Sequence, residues 1–160
     1  MVRRARGGSV ARTARASPSA MERHASLLRA KGLRATSQRL EIFAFLALRE
    51  DHPDVDTIYT ALRARSPTLS RTTVYNTVEQ LHRHGLIQAL TISGTEHRYE
   101  VEKGCHHHLL CRECGRIYDI MVKCPFLGEM LLGEHKVEEV HGYFLGVCKG
   151  CLSKRGQAKD

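Results

Sequence analysis

Two C-x-x-C pairs, Cys111/Cys114 and Cys148/Cys151, constrain this 160-residue chain more than any other feature. Each pair sets two thiolates at one tight turn. Two such turns docked together complete a closed, tetrahedral S₄ site of the kind that holds structural Zn²⁺. One metal would therefore hold the fold of this segment. His106 and His108, just upstream in C-H-H-H-L-L-C, alternate along an extended run. They share one face and can reach a second, harder metal.

Composition narrows the partner. A hydrophobic content of 42% supports real cores, and 6% aromatics with no Trp keeps them modest. The 25 Lys and Arg outweigh 17 Asp and Glu, giving +8 and a pI near 9.4. A basic balance of this size favours a polyanionic partner, nucleic acid first. Five arginines (Arg3, Arg4, Arg6, Arg12, Arg15) and no acid fall in residues 1–20, so residues 21–160 carry only about +3. Without periodicity, residues 1–20 are expected to be a disordered basic extension. The apolar runs are short and broken by charge, so no membrane span is expected. Six cysteines without an apolar secretory segment point to a reducing, cytoplasmic setting in which thiols bind metal.

Periodicity then divides the chain. Residues 22–31 read as a short amphipathic helix ended by Gly32. A second helix is capped at Thr36 or Ser37, with Leu40, Phe43, Leu46 and Ala47 at helical spacing. His52-Pro53 breaks it. Asp54 or Asp56 caps a third helix with Ile58 and Leu62 inward, and Ser66-Pro67 stops that one. Ser70 caps a fourth helix, striped by Val74, Val78 and Leu81 and terminated at Gly85. The period then changes to two on either side of Ser93-Gly94-Thr95, which predicts a β-hairpin. Helices followed by a hairpin give a winged helix-turn-helix domain over 21–102, with a boundary at Glu102-Lys103-Gly104. Residues 105–153 are expected to form strands around the first C-x-x-C, a short helix over 126–135 and a closing strand that delivers Cys148. Residues 154–160 are expected to be a tail. The fold class is α+β.

If the fourth helix reads DNA, its first turns should reach base edges while its later turns pack. Arg71, Thr72, Thr73, Tyr75 and Asn76 all lie off the apolar stripe. Arg71 suits phosphate or guanine, Asn76 suits adenine, and Tyr75 suits a thymine methyl. Arg34 and Arg39 are candidates for backbone or minor-groove contacts.

Taken together, the chain resembles the ferric-uptake-regulator (Fur) family of metal-dependent repressors. The resemblance covers residues 22–151. It rests on G-L-R-A-T-S-Q-R-L (32–40), H-P-D-V-D-T-I-Y (52–59), S-R-T-T-V-Y-N (70–76), H-H-H-L-L-C-R-E-C-G-R (106–116) and G-V-C-K-G-C (146–151). It implies a small C-terminal α/β dimerisation domain and a homodimer on a palindromic double-stranded DNA operator. It places the structural zinc on Cys111, Cys114, Cys148 and Cys151. It also implies a regulatory site of His52, Glu100, His106, His108 and Asp119. Three imidazoles and two carboxylates suit Fe²⁺ or Mn²⁺.

Within the family, three details resemble the peroxide-sensing (PerR-like) branch: Asn76 after Tyr75, Asp119 as the carboxylate, and the spacing from His52 to Cys111. That resemblance implies His52 and His106 as oxidation-sensing ligands. Glu100 stands where the branch usually has Asp. Cys105 beside the histidines suggests a zinc-responsive variant, and Cys124 reads as a buried free thiol. The alternative is an iron-uptake or a manganese- or zinc-uptake repressor. From another class, His106, His108 and Asp119 suggest a non-haem metalloenzyme. No base outside the ligand set accompanies them, so a regulator rather than an enzyme is expected.

Overall fold

Serine, threonine and aspartate caps punctuate the first half of the chain. The structure, a computed structural model, describes residues 16–92, 97–101, 104, 106–122, 130–132, 135–137 and 142–157. Of the expected extension over 1–20, residues 1–15 lie outside the described residues, as do the turn at 93–95, the boundary at 102–103, Cys105 and Cys124, whereas residues 18–20 are helical rather than disordered. Residues through Val101 belong to one compact unit, and those from Gly104 onward to a second.

In the first unit, helix α1 spans Pro18–Ala30. It begins four residues earlier than its apolar spacing suggested. Ser17 accepts the Ala20 N–H at 3.2 Å, and Pro18 at N1 has its φ already set for a helix. Helix α2 (Ser37–Ala47) is capped by Thr36, α3 (Val55–Arg63) by Asp54 and α4 (Arg71–Arg83) by Ser70. The cap bonds are 3.3 Å to the Arg39 N–H, 2.7 Å to the Thr57 N–H and 3.0 Å to the Thr73 N–H. Each satisfies a helix-end donor that would otherwise stay unpaired. Gly85 takes φ +63 after α4, the left-handed turn that ends a helix without a Cβ penalty.

Strands β1 (Ile87–Leu90) and β2 (Arg98–Val101) follow as an antiparallel pair with Ile87 opposite Val101. Leu28, Ile42, Leu46, Ile58, Leu62, Val74, Val78 and Leu81 fill the core, joined by Leu86, Ile87 and Tyr99 from the hairpin. Each such aliphatic side chain contributes about 1.5–3 kcal/mol by leaving water. The α4 stripe is therefore committed to packing. The opposite face of its first turns is left in solvent. Helices with an appended hairpin make this unit a winged helix-turn-helix.

In the second unit, β3 (His107–Cys111), β4 (Ile117–Ile120), β5 (Met130–Leu132), β6 (His135–Val137) and β7 (Tyr143–Gly146) precede α5 (Lys149–Gln157). The main sheet has the order β4-β3-β7. Strand β4 runs antiparallel to β3, with Asp119 opposite His108. Strand β7 runs parallel to it, with Leu145 opposite Leu110. Of the short helix expected over 126–135, residues 126–129 and 133–134 lie outside the described residues, and the described ones are strand rather than helix. Residues 130–132 and 135–137 pair as two short antiparallel strands, with Leu132 opposite His135. That stretch holds Gly128 and Gly133, each costing a helix about 1 kcal/mol, and so short a helix is not stable alone. Helix α5 continues to Gln157, so residues 154–157 of the expected tail are helical, and 158–160 lie outside the described residues.

Gly142 has a steric duty here. A Cβ at that position would lie 2.5 Å from Nδ1 of buried His107. The His107 ring packs edge-to-face on Phe144 at 5.8 Å, a contact it would have to give up to make room. Gly142→Ala is expected to destabilise the second unit by about 1–3 kcal/mol through overpacking. Thermal unfolding of the purified variant checks this, and an unchanged midpoint would show the ring to be displaceable.

Candidate metal centres and nucleic-acid interface

Strand pairing assembles the four cysteines. Cys111 ends β3, and Cys148 follows β7, its parallel neighbour. The two C-x-x-C turns are thereby delivered to the same end of the sheet. Gly115 takes φ +69 beyond Cys114, and the Cys111 N–H donates to the Arg116 carbonyl at 2.9 Å, closing the first turn. The second turn is the start of α5, where the Cys151 N–H donates to the Cys148 carbonyl at 3.0 Å. The Arg112 N–H donates to the Gly146 carbonyl at 2.8 Å and joins the two turns. An Arg155–Glu113 ion pair ties α5 to the first turn.

The sulfur geometry discriminates between chemistries. Sγ of Cys111 lies 3.9 Å from that of Cys151, and Sγ of Cys114 lies 3.8 Å from that of Cys148. All four lie within 4.8 Å of one another. A disulfide needs about 2.05 Å. A tetrahedron with Zn–S bonds of about 2.3 Å has edges of about 3.8 Å. The residues fit a structural zinc.

Their electrostatics agree. Burial pushes the Cys111 thiol up, but backbone N–H groups around Cys114, Cys148 and Glu113 outweigh it and bring the thiol down to about 6. One of these is the Cys148 N–H, which donates to the Cys111 sulfur at 3.3 Å. The Tyr118 hydroxyl, bonded to Cys148, lowers that thiol, and the phenol itself is pushed up to about 12. Cys151, hydrogen-bonded to Cys148 and crowded by the other sulfurs, is pushed well up. Full ionisation of four crowded thiols needs a cation between them. Tyr118 was not singled out from sequence, because nothing in its spacing marks it as a partner of Cys148.

The remaining candidate ligands form two local groups. In the first unit, His52 Nε2 lies 3.2 Å from Glu100 Oε2, and both side chains are buried. His52 takes φ +50, a left-handed conformation that costs a non-glycine residue about 1–2 kcal/mol. The Tyr99 N–H donates to the Pro53 carbonyl at 3.0 Å and holds the His52-Pro53 loop on β2, where Glu100 sits. Among the described residues, His52 is the sole non-glycine with positive φ. That distinction is invisible in sequence.

In the second unit, His106, His108 and Asp119 converge. Asp119 Oδ1 lies 3.8 Å from His106 Nε2 and 3.7 Å from His108 Nε2. The two imidazole centroids are 4.6 Å apart. Strand alternation puts His107 on the other face, against Phe144. His106 Nδ1 is 3.0 Å from the Gly104 carbonyl. That bond protonates Nδ1 and leaves Nε2 as the donor atom, the usual means of orienting a ligand imidazole.

On α4, Arg71, Thr72, Tyr75 and Asn76 are exposed. Thr73 is half-buried, its hydroxyl 2.8 Å from that of the cap residue Ser70. Arg34 is exposed, whereas Arg39 is half-buried and donates to the Arg34 carbonyl at 2.6 Å. Arg39 thus clips the α1–α2 loop as well as adding charge. Arg71 carries a partner that sequence reading passed over. Its Nε lies 2.7 Å from Asp56 Oδ1, and its Nη2 lies 2.8 Å from Asp56 Oδ2.

Comparison with known proteins places this arrangement. The ferric uptake regulator family profile matches residues 30–139. The peroxide-responsive repressor PerR of Staphylococcus aureus is 32% identical over 139 residues, covering 84% of this chain and 93% of that protein. The ferric uptake regulator Fur of Helicobacter pylori, described with three functional metal-binding sites, shares the fold at a TM-score of 0.63. It is 21% identical and covers 86% of this chain and 95% of that one. A zinc-bound manganese uptake regulator aligns at a TM-score of 0.57 with 25% identity, over 80% of this chain and 98% of its own. With a winged helix, an S₄ cluster and imidazole–carboxylate groups in family order, the chain belongs to the ferric uptake regulator family of metal-dependent regulators.

Proposed function

We propose that this protein is a metal-dependent DNA-binding repressor that acts as a homodimer and responds to peroxide. One observation carries the reading: the five N/O donors divide between the two units. His52 and Glu100 belong to the DNA-reading unit, whereas His106, His108 and Asp119 belong to the other. Neither group alone offers five donors. An ion that drew on all five would favour whichever arrangement of the units offers them together, and its binding energy would become that bias.

The donor chemistry suits the role. Three imidazoles and two carboxylates are intermediate-to-hard ligands that accept Fe²⁺ or Mn²⁺, while the S₄ cluster takes Zn²⁺. Two copies related by a two-fold axis present two α4 helices, which matches a palindromic operator. Among the described residues, no helix is long and apolar enough to cross a membrane. A cytoplasmic setting suits reduced cysteines. Fe²⁺ held by these donors would supply a reducing electron to hydrogen peroxide. His52 and His106 are the imidazoles proposed to be oxidised, and an oxidised ring is a poor donor. Identity to a peroxide-responsive repressor supports this branch. The second reading is an iron-, manganese- or zinc-uptake repressor, favoured by Glu100, whose extra methylene alters the donor reach.

The test is DNA retention of the dimer with Fe²⁺, Mn²⁺ or Zn²⁺, with and without micromolar peroxide. Loss of binding is expected only with Fe²⁺ plus peroxide, accompanied by one added oxygen at His52 or His106 in peptide mass spectra. Oxygen added only at methionines would leave an uptake repressor as the reading.

A further inference from the structure

We propose that Asp56 is a positioning residue that aims Arg71 at a guanine edge; this rests on the reading of α4 as the DNA-contacting helix. Asp56 lies in the first turn of α3, and Arg71 is the first residue of α4. Their two contacts, 2.7 Å at Nε and 2.8 Å at Nη2, make a side-on fork between carboxylate and guanidinium. It differs in kind from Arg83–Glu79, an ordinary i,i+4 pair within one helix at the far end of α4.

An exposed ion pair adds little to stability, so the value of this one lies in what it leaves available. A guanidinium is planar and carries five N–H donors. Asp56 occupies the Nε–H and one Nη2–H. The end-on edge remains, with one N–H from each Nη pointing the same way. That edge matches the paired acceptors O6 and N7 of guanine in the major groove. The carboxylate also removes the rotamer freedom that a long arginine otherwise loses on binding.

Charge separates base from backbone. Alone, Arg71 is a cation drawn to every phosphate. Paired with Asp56, the fork has no net charge but keeps its directional donors. The pull toward a non-specific polyanion falls while recognition of a neutral acceptor edge survives. The remaining charges around α3's first turn do not disturb this, since Asp54 faces Arg98 at 3.5 Å. Asp56 thus turns a phosphate-binding residue into a base reader.

The test selects binding sequences from a randomised duplex pool with the full-length Mn²⁺-loaded dimer, and it measures the salt dependence of affinity. Wild type is expected to prefer guanine at one symmetric position per half-site. Asp56→Ala and Arg71→Ala should each erase that preference, costing about tenfold or more on the preferred site. The double variant should lose no more than either single one, because one fork is removed in each case. Asp56→Asn, which can still hold the arm through one acceptor oxygen, should retain part of the preference. Two results would overturn the proposal: an unchanged base preference in Asp56→Ala, or tighter binding to all sequences with a steeper salt dependence, which would make Asp56 a repeller of the backbone. If wild type selects no sequence under any metal, the DNA-reading assignment of α4 fails and this inference fails with it.

Discussion

Cys111→Ser is expected to unfold the second unit and leave the first one standing. Apparent zinc affinities at S₄ sites in small domains correspond to about 10–16 kcal/mol, as large as the whole stability of an ordinary domain, about 5–15 kcal/mol. Among its described residues, the second unit has little else to fall back on. Its main sheet has three strands, and Phe144, Leu145 and Met121 are exposed rather than buried in it. The first unit keeps an aliphatic core independent of the cysteines. Elemental analysis should show zinc falling from one ion per protomer to none. Sedimentation should show loss of the dimer, while helical circular dichroism persists with its own melting transition. A Cys111→Ser protein with full zinc content and an unchanged melt would remove the S₄ assignment.

His108→Ala is expected to behave in the opposite way: a folded, zinc-loaded dimer that no longer binds DNA in response to metal. Loss of a group that merely orients a ligand costs about 10–100-fold in metal affinity, so loss of a ligand itself should cost at least about 100-fold. His106→Ala should follow it. His107→Ala is the internal control, because strand alternation turns that ring onto Phe144 and away from Asp119. It should lower stability and leave the metal concentration for half-maximal DNA binding unchanged. Equal loss of response in His107→Ala and His108→Ala would mean that fold integrity, rather than ligation, had been measured.

Local chemistry made much of this molecule legible in one dimension. The caps at Thr36, Asp54 and Ser70 act over three residues, and the Val74, Val78 and Leu81 stripe repeats within one helix. The S₄ cluster was readable for a different reason: a C-x-x-C turn carries half of a tetrahedron in four residues, so only the docking of two turns is left to the fold. Where reading failed locally, a weak signal lost to a stronger one. Ser17-Pro18 starts α1 before any apolar period begins. Residues 130–132 and 135–137 pair as strands, in a stretch where Gly128 and Gly133 weaken any helix.

His52, Glu100 and Asp119 entered only through family resemblance, since a lone histidine or carboxylate has no period to betray it. The left-handed φ of His52, the 3.2 Å His52–Glu100 contact, the Tyr118–Cys148 bond and the Asp56–Arg71 fork became visible only in three dimensions. Spacing along a chain governs which side chains share one helix face or strand face. Which two faces meet, and at what distance, depends on the packing of elements remote in sequence. Helix positions and thiolate turns therefore belong to the first kind of information, while the orientation of Arg71 and the pairing of His52 with Glu100 belong to the second.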